Sequence, residues 1–250
     1  MKEEQLTRVS RILVLIQFLL GLGASLLFAL PYLRKTHGLA RLDSRQRYLF
    51  VVNHVSLLDT ILLGALCWRS RCYPILVLGD KNTWHASWLK RMLSSCIGFL
   101  LERGKINPDR MCELQSFGRA SQMFHLVVFP EGTRGDGVRV VRCQPGLYPI
   151  AQEARVPIVP VFIEKMQLVS TKTGRFHPIG GLRKVEVHFG EPIEPANYLS
   201  LPREEFSEFI RLNIAALRPL PSAECSNPVP SLSYSPTGKI PPVATRQSVP

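Results

Sequence analysis

Between residues 48 and 217 the chain alternates short apolar runs with longer stretches of helical periodicity. Such runs are typical of strands buried on both faces of a sheet, and the stretches between them are typical of covering helices. The pattern therefore predicts an α/β fold, a mostly parallel sheet covered by helices. The predicted strands are YLFVV (48–52), YPILVLG (73–79), IGFLL (97–101), HLVVF (125–129), PIVPVFI (157–163) and VEVHF (185–189). The predicted helices are 56–68, 83–96, 108–123, 146–154 and 202–217.

Two of these strands differ from the others in composition. VPIVPV (156–161) contains two prolines, which cannot donate to a β-ladder, and this predicts a strand beside a site or at a sheet edge. VEVHF alternates apolar and polar residues, which is typical of a half-exposed edge strand.

Residues 12–30 carry no charge. As a helix they would reach roughly 28 Å at about 1.5 Å per residue, close to the thickness of a bilayer core. We therefore expect an N-terminal hydrophobic membrane-anchoring helix. A secretory signal is disfavoured because no small-x-small cleavage site precedes Pro31. Whether the helix spans the membrane or lies in its interface stays open.

The pattern of charges predicts on which side of the membrane the chain lies and what kind of partner it binds. Five basic residues follow the apolar run, which predicts that the rest of the chain stays on the cytoplasmic face, of the inner membrane in a bacterium. The net charge of +12 calls for a polyanion. Nucleic acid would fit the charge, but the apolar helix favours a membrane lipid. Six scattered cysteines without a C-x-x-C pair indicate a reducing compartment and no zinc ribbon.

The composition changes again at the C-terminal end. From Pro219 onward Pro and Ser dominate, and large apolar side chains are too sparse to offset the entropy of ordering. Three parts are therefore predicted: a membrane anchor over 1–37, a folded domain over 38–218 and a disordered Pro/Ser-rich tail over 219–250.

Candidate chemistry follows the first predicted strand, in NHVSLLD (53–59). On one helix His54 and Asp59 would lie about 140° apart. They can meet if His54 lies in the loop before the helix and Asp59 lies one turn in. An aspartate that accepts a hydrogen bond from one imidazole nitrogen leaves the other free to take a proton. The alternative is a loop histidine with a helix-capping acid.

A second polar stretch, FPEGTRG (129–135), follows HLVVF at the place where α/β folds bind ligands. Arg134 can hold a phosphate through two parallel hydrogen bonds, and Gly132 allows close approach of the backbone. Glu131 could position a hydroxyl or orient an arginine. A tight turn with a surface ion pair is the alternative. A third stretch, GFLLERG (98–104), places Glu102 and Arg103 after a strand, which alone indicates little.

Other catalytic classes lack their motifs. The sequence contains no G-x-S-x-G, no G-x-x-x-x-G-K-S/T and neither H-x-H nor H-E-x-x-H. The other histidines look isolated and are expected to be structural or on the surface; they are His37, His85, His125, His177 and His188.

Taken together and in order, the polar stretches and VPIVPV resemble the four blocks of the 1-acylglycerol-3-phosphate acyltransferase (PlsC-like) family of glycerolipid acyltransferases, over about residues 45–195. The resemblance implies that 38–218 is an acyltransferase domain. It implies transfer of a fatty acyl group from acyl-CoA or acyl carrier protein to a lysophospholipid hydroxyl, with no metal or bound cofactor. His54 would be the base and Asp59 its partner. The implied acceptor-site residues are Arg103, Glu131, Gly132, Thr133 and Arg134.

Direct attack of the acceptor hydroxyl on a thioester needs no Ser or Cys nucleophile, but it needs donors for the oxyanion. Backbone amides near 156–160 are our hypothesis for these donors. Family members commonly carry basic residues before the glycine that follows the third block, whereas this chain has Cys143, Gln144 and Pro145. The acceptor headgroup therefore stays open: lysophosphatidate is expected, with lyso-ornithine lipid or another lysolipid as alternatives. A non-catalytic basic membrane-binding module is the other alternative.

Overall fold

The computed structural model describes residues 2–81, 88–101, 108–121 and 123–219. In that part of the chain seven strands form one sheet: β1 (Leu33–His37), β2 (Leu49–Val52), β3 (Ile75–Asp80), β4 (Gly98–Leu101), β5 (His125–Val128), β6 (Ile158–Glu164) and β7 (Val185–Phe189). Their order is β1-β7-β6-β2-β5-β3-β4. Neighbours are parallel except β6 and β7, which are antiparallel. The predicted mostly parallel sheet is confirmed.

Helices alternate with these strands, and each helix predicted from the sequence overlaps an observed one. Their bounds are α1 (Lys2–Ala24), α2 (Leu30–Tyr32), α3 (Leu57–Arg69), α4 (Trp88–Ile97), α5 (Pro108–Ala120), α6 (Leu147–Ala154) and α7 (Arg203–Ala215). A π-helical turn, Ser25–Ala29, joins α1 to α2, and short 3-10 turns lie at Leu39–Arg41, Met166–Leu168 and Pro195–Asn197.

The central strand β2 contributes to both cores of the domain. Successive residues of a strand point to opposite faces of a sheet. Phe50 and Val52 pack in the core on the side of α3, while Leu49 and Val51 pack in the core on the side of α5, α6 and α7. All four side chains are buried. Burial on both faces explains why this segment is a continuous apolar run rather than an alternating one.

The proline-containing strand β6 is an interior strand, so the edge alternative was wrong. It lies third in the sheet, with Pro160 in register with Val51 of β2. Pro160 cannot donate to the ladder, but its carbonyl accepts a hydrogen bond from the Gly190 N–H at 2.9 Å. The carboxyl end of β6 lies beside the residues that follow β2, which agrees with the other alternative, a strand next to a site.

The prediction of β7 as an edge strand was also wrong. β7 lies second, between β6 and β1, and β1 forms the edge. β1 comes from residues that the sequence assigned to the membrane anchor over 1–37, so the sheet begins inside that segment. Its sequence, LRKTH, has one apolar residue, and only Leu33 is buried. A strand of this composition carries no apolar pattern by which it could be recognised.

The N-terminal helix packs on the domain. Among the described residues, Val14–Tyr32 is long and apolar enough to cross a membrane, with a mean hydropathy of 2.1. On its domain side, the amide of Gln17 donates to the carbonyls of Ile75 and Cys96 and accepts from the Ile75 N–H. Gly21 lies so close to Trp68 of α3 that an added Cβ would come within 2.6 Å of it. One face of this helix is therefore fixed to the domain.

Several predictions fall on residues that lie outside the described part of the chain. These are the start of the helix over 83–96, His85, Glu102 and Arg103, and the tail over 219–250 apart from Pro219.

Candidate active site

The loop between β2 and α3 starts with an asparagine that fixes its direction. Asn53 donates from Nδ2 to the Ile163 carbonyl at 3.1 Å and accepts the Ile163 N–H on Oδ1 at 2.7 Å. The side chain thus continues the pairing of β2 with β6 beyond the end of β2. No role for Asn53 follows from the sequence, because its partner lies far along the chain.

His54 and Asp59 meet as the spacing predicts, with His54 in the loop and Asp59 in the first turn of α3. Nδ1 of His54 lies 2.9 Å from Oδ2 of Asp59. The same oxygen accepts the backbone N–H groups of Val55 at 2.6 Å and Ser56 at 2.8 Å. Ser56 caps the helix in return through its hydroxyl. The aspartate is completely buried, so its position is fixed by the cap and by the imidazole together.

This arrangement determines how the imidazole can react. A carboxylate that carries no proton can only accept, so Asp59 selects the tautomer with hydrogen on Nδ1. The remaining nitrogen, Nε2, is then the basic one. The ring stacks on Phe129, with centroids 4.2 Å apart, and 19% of the side chain is exposed. The imidazole is therefore oriented on two sides yet reachable from solvent.

Glu131 holds the backbone of His54 in place through a hydrogen bond. Its Oε1 accepts the His54 N–H at 3.1 Å, and the side chain is buried. Burial raises the pKa of this carboxyl, while the His54 and Val141 N–H groups oppose that shift. The Gly135 N–H donates to the His54 carbonyl at 2.6 Å. A Cβ at Gly135 would lie 2.9 Å from Oε2 of Glu131, so a larger residue there would displace the Glu131 carboxyl.

The predicted acceptor-site residues in the described part of the chain form two groups: Glu131 is buried, whereas Gly132, Thr133 and Arg134 are at least partly exposed. Glu131 is a buried group that positions the His54 backbone, rather than one that lines an open site. Gly132 makes the turn, with φ of +66°, and Thr133 is exposed. Arg134 is half-buried, and its Nη1 donates to the Lys172 carbonyl at 3.0 Å.

Gln144 connects the unusual Cys-Gln-Pro stretch to this loop. Its N–H donates to the Pro130 carbonyl at 2.7 Å, and its Nε2 donates to the Glu131 carbonyl at 3.3 Å. The residue therefore holds the FPEGTRG loop in place. From the sequence alone, this stretch is notable only for the absence of a basic residue.

The hypothesis that amides near 156–160 hold the oxyanion was wrong. β2 and β6 are parallel, and Leu49 at the start of β2 is in register with Ile158. His54 follows the opposite end of β2. The Ile158 N–H is also engaged, since it donates to the Ile193 carbonyl. These amides therefore lie towards the start of β6, whereas the imidazole lies beyond the carboxyl end of β2.

An apolar cavity of about 460 Å³ adjoins the first turn of α3. Thr60 and Ile61, the two residues after Asp59, form part of its wall. The other side is formed by α1 and the turn after it, where Gly21, Gly23 and Leu27 contribute. The cavity is lined almost entirely by hydrocarbon, so it suits an apolar chain better than a polar headgroup.

Two histidines predicted to be isolated are in fact paired. His37 of β1 and His188 of β7 are in register, and their rings stack 4.4 Å apart. With Glu186 they place three possible metal-ligand atoms within 4.8 Å of one another. However, Glu186 already pairs with Arg34 at 3.1 Å and with His37 at 3.1 Å. Nothing else about this group indicates a cation.

His125 is structural, as predicted. It is completely buried at the start of β5, where it stacks on Tyr48. Burial and the neighbouring Arg47 guanidinium lower its pKa to about 3. The ring is therefore neutral at physiological pH, and it lies away from the loop that holds His54.

The known proteins to which this chain is similar are named as acyltransferases. A family model described as Acyltransferase matches residues 34–164. The chain is 26% identical to a probable 1-acyl-sn-glycerol-3-phosphate acyltransferase of Mycoplasma pneumoniae, over 62% of this chain and 59% of that protein. It is 27% identical to the 1-acyl-sn-glycerol-3-phosphate acyltransferase of Saccharomyces cerevisiae, over 67% and 54%. The chain thus spans little more than half the length of these relatives.

A solved structure supports the fold. The 1-acyl-sn-glycerophosphate acyltransferase PlsC of Thermotoga maritima superposes with a TM-score of 0.59, at 18% identity, over 81% of this chain and 79% of that one. The predicted resemblance to PlsC-like proteins is confirmed. The family model covers more than half of the residues, and the chain therefore belongs to the acyltransferase family.

Proposed function

We propose that this protein transfers a fatty acyl group from a thioester, acyl-CoA or acyl carrier protein, to the free hydroxyl of a lysophospholipid. The observation that carries the proposal is the contact between His54 Nδ1 and Asp59 Oδ2, with the carboxylate completely buried. The curated relatives are named for acylation of 1-acyl-sn-glycerol-3-phosphate, which supports lysophosphatidate as the acceptor and phosphatidate as the product.

The chemistry needs one base that acts at neutral pH. Nε2 of His54 takes the proton of the acceptor hydroxyl while the oxygen attacks the thioester carbonyl. The tetrahedral intermediate then collapses, the C–S bond breaks, and the imidazolium returns the proton to the departing sulfur. Asp59 keeps the correct tautomer and stabilises the imidazolium. A base of this kind contributes about 10²–10⁴ in rate. The scheme uses no metal or bound cofactor.

The loop after β5 offers hydrogen-bond donors for the acceptor's phosphate. Among the described residues Arg134 donates to the Lys172 carbonyl through Nη1, and a guanidinium has further donors for a phosphate. Thr133 is exposed beside it and can donate its hydroxyl. From its place in GFLLERG, the second block of the family resemblance, Arg103 is proposed as a second phosphate contact. Gly132 makes the turn that precedes Thr133 and Arg134.

The apolar cavity next to α3 is proposed to hold an acyl chain. Its wall includes Thr60 and Ile61, so an apolar chain in it would run from the first turn of α3 towards α1. A chain in that position would share the surface of the apolar N-terminal helix. Together these features support a membrane-associated enzyme that takes and returns amphiphilic lipids at the bilayer. The basic residues that follow the apolar run favour the cytoplasmic face.

The test is an assay on membranes that carry the protein. Labelled acyl-CoA and lysophosphatidate are supplied, and labelled phosphatidate is separated by chromatography, with vector-only membranes as the control. We expect phosphatidate to form well above the control rate. Acyl carrier protein thioester in place of acyl-CoA identifies the donor.

The same assay separates the alternatives. Equal supply of lyso-ornithine lipid and of lysophosphatidylcholine shows which headgroup the enzyme accepts. Faster acylation of lyso-ornithine lipid would overturn lysophosphatidate as the acceptor but keep acyl transfer. No product with any acceptor or donor would favour the non-catalytic membrane-binding module.

A further inference from the structure

A loop after β6 exposes large apolar side chains. An antiparallel bridge joins Ser170 to Phe176, and Gly174 turns the chain between them with φ of +88°. Phe176 is 51% exposed and Ile179 is 80% exposed, and Leu182 is also exposed. Single exposed apolar residues are ordinary, but three within seven positions indicate an apolar partner. We call residues 170–184 the basic-apolar loop.

The same loop carries only positive charge. From position 165 to 184 the sequence has five Lys or Arg and no Asp or Glu. Four of these basic residues lie within the loop, and all four are exposed: Lys172, Arg175, Arg183 and Lys184. Cations that flank apolar side chains match an anionic bilayer, where the charges contact headgroups and the apolar groups enter the acyl boundary. A soluble acidic partner would account for the cations but not for Ile179.

The loop is continuous with the apolar N-terminal helix. Phe176 packs on Tyr32, with ring centroids 6.1 Å apart. Arg183 donates from its backbone N–H to the Pro31 carbonyl at 2.9 Å and from Nη1 to the Leu30 carbonyl at 3.2 Å. Leu27, one turn earlier, is 82% exposed. The loop therefore extends the apolar surface of that helix.

The loop is also tied to the candidate active site. The Ser56 hydroxyl donates to the Ser170 hydroxyl at 2.9 Å, so the residue that caps α3 is joined to the start of the loop. Arg134 donates to the Lys172 carbonyl. We propose that the basic-apolar loop is a second membrane-contacting element, which docks on anionic lipid beside the N-terminal helix and holds the His54 loop at the bilayer surface. The docking does not depend on the proposed acyl transfer.

Lipid contact at residue 179 can be measured directly in the full chain. Ile179→Cys is labelled with an environment-sensitive fluorophore after Cys96, Cys112 and Cys225 are changed to serine, which leaves the buried Cys67, Cys72 and Cys143. The matched control carries the label at Leu212→Cys, an exposed position on α7. Vesicles of phosphatidylcholine are used with and without phosphatidylglycerol, and with spin-labelled lipid as a quencher.

We expect the label at 179 to shift to the blue and to be quenched by the spin-labelled lipid in vesicles that contain phosphatidylglycerol, whereas the label at 212 is not quenched. Equal behaviour at the two positions would overturn the proposal. A blue shift at 179 that needs no vesicles and grows with protein concentration would also overturn it, because a second copy would then cover the loop.

The charge contribution has its own test. Arg175→Ala with Lys184→Ala should raise the lipid concentration for half-maximal signal at 179 by about 25-fold at low salt, since each cation near an anionic surface contributes about fivefold. Salt should reduce the effect. The control pair, Arg119→Ala with Arg203→Ala, should leave it unchanged. Equal effects of the two pairs would contradict a specific role of the loop.

These readouts do not use acyl transfer, so the two proposals fail separately. Repeating the quenching measurement in the His54→Ala chain should give the same signal at 179. An enzyme that transfers acyl groups without lipid contact at 179 would keep the proposed function and lose this inference.

Discussion

Two histidine–carboxylate pairs in this molecule have nearly the same contact distance and very different surroundings. His54 lies 2.9 Å from Asp59, and His37 lies 3.1 Å from Glu186. Asp59 is buried, and the oxygen that contacts His54 also accepts two backbone N–H groups. Glu186 lies on the outer strand pair and is shared with the exposed Arg34, and 38% of the His37 side chain is exposed.

The difference teaches that the distance alone does not mark a catalytic pair. At His54 the backbone fixes the carboxylate, Phe129 fixes the ring, and the pair lies where β2, β5 and β6 end. At His37 the Glu186 carboxylate is shared, with Oε1 on the exposed Arg34 and Oε2 on the partly exposed His37. Ion pairs at such exposed positions contribute little. The predictions that follow test whether backbone anchoring and burial are what separate the two pairs.

The largest effect in this comparison is expected from Asp59→Asn. The amide oxygen can still accept from Nδ1 and from the two backbone N–H groups, but it no longer supplies the negative charge that stabilises the imidazolium, so transfer should fall by about 10²–10⁴. Asparagine is nearly isosteric with aspartate and can still cap α3, so the fold should survive. Initial rates and a thermal melt of the same preparation check both statements. Glu186→Gln is the matched control and should transfer normally; a similar loss there would erase the distinction between the pairs.

Arg134→Ala should mainly raise the acceptor KM, by about 10- to 100-fold, because a charge-assisted phosphate contact contributes about 1.5–3 kcal/mol. Since Arg134 also holds the Lys172 carbonyl, the signal of residue 179 on vesicles serves as a control for loop displacement. An acceptor KM equal to that of the wild type would count against phosphate recognition at this position.

Glu131 tests the support beneath His54. Burial raises its pKa above the ordinary value of 4.5, so the folded state holds the proton to higher pH than the unfolded state. The stability that this proton gives is present at low pH and is lost as the pH rises through the folded pKa. Relative to Glu131→Gln, the wild type should therefore lose stability as the pH rises above about 4.5.

Unfolding free energies measured across this pH range check the prediction, and parallel curves for the two proteins would refute it. Glu131→Ala is the contrasting variant. It leaves the His54 N–H without its acceptor, which should cost about 1–3 kcal/mol at every pH.

The smallest effect is expected from removal of residues 222–250. Activity and the melting temperature should stay close to those of the full chain, because a Pro/Ser-rich segment has little apolar surface to bury. A rate reduced more than severalfold, measured in the same membranes, would show that the segment contributes to the site.

How much could be read from the sequence depended on how local each feature is. The His54–Asp59 contact spans five positions and follows from strand, loop and helix-cap chemistry, so it was predictable. β1 was missed because a strand of charged residues is fixed only by its distant partner β7. The His37–His188 pair was missed for the same reason. The edge assignment of β7 failed because alternation reports exposure of one face, not position in the sheet.

The most direct measurement compares initial rates of acyl transfer for the wild type, His54→Ala and His37→Ala in equal amounts of membrane, with lysophosphatidate and acyl-CoA. We predict that His54→Ala loses at least about 10²-fold, the contribution of a general base, while it keeps the wild-type melting temperature and membrane content. His37→Ala should transfer at the wild-type rate. Undiminished turnover by His54→Ala, or an equal loss in both variants, would contradict the assignment of His54 as the base.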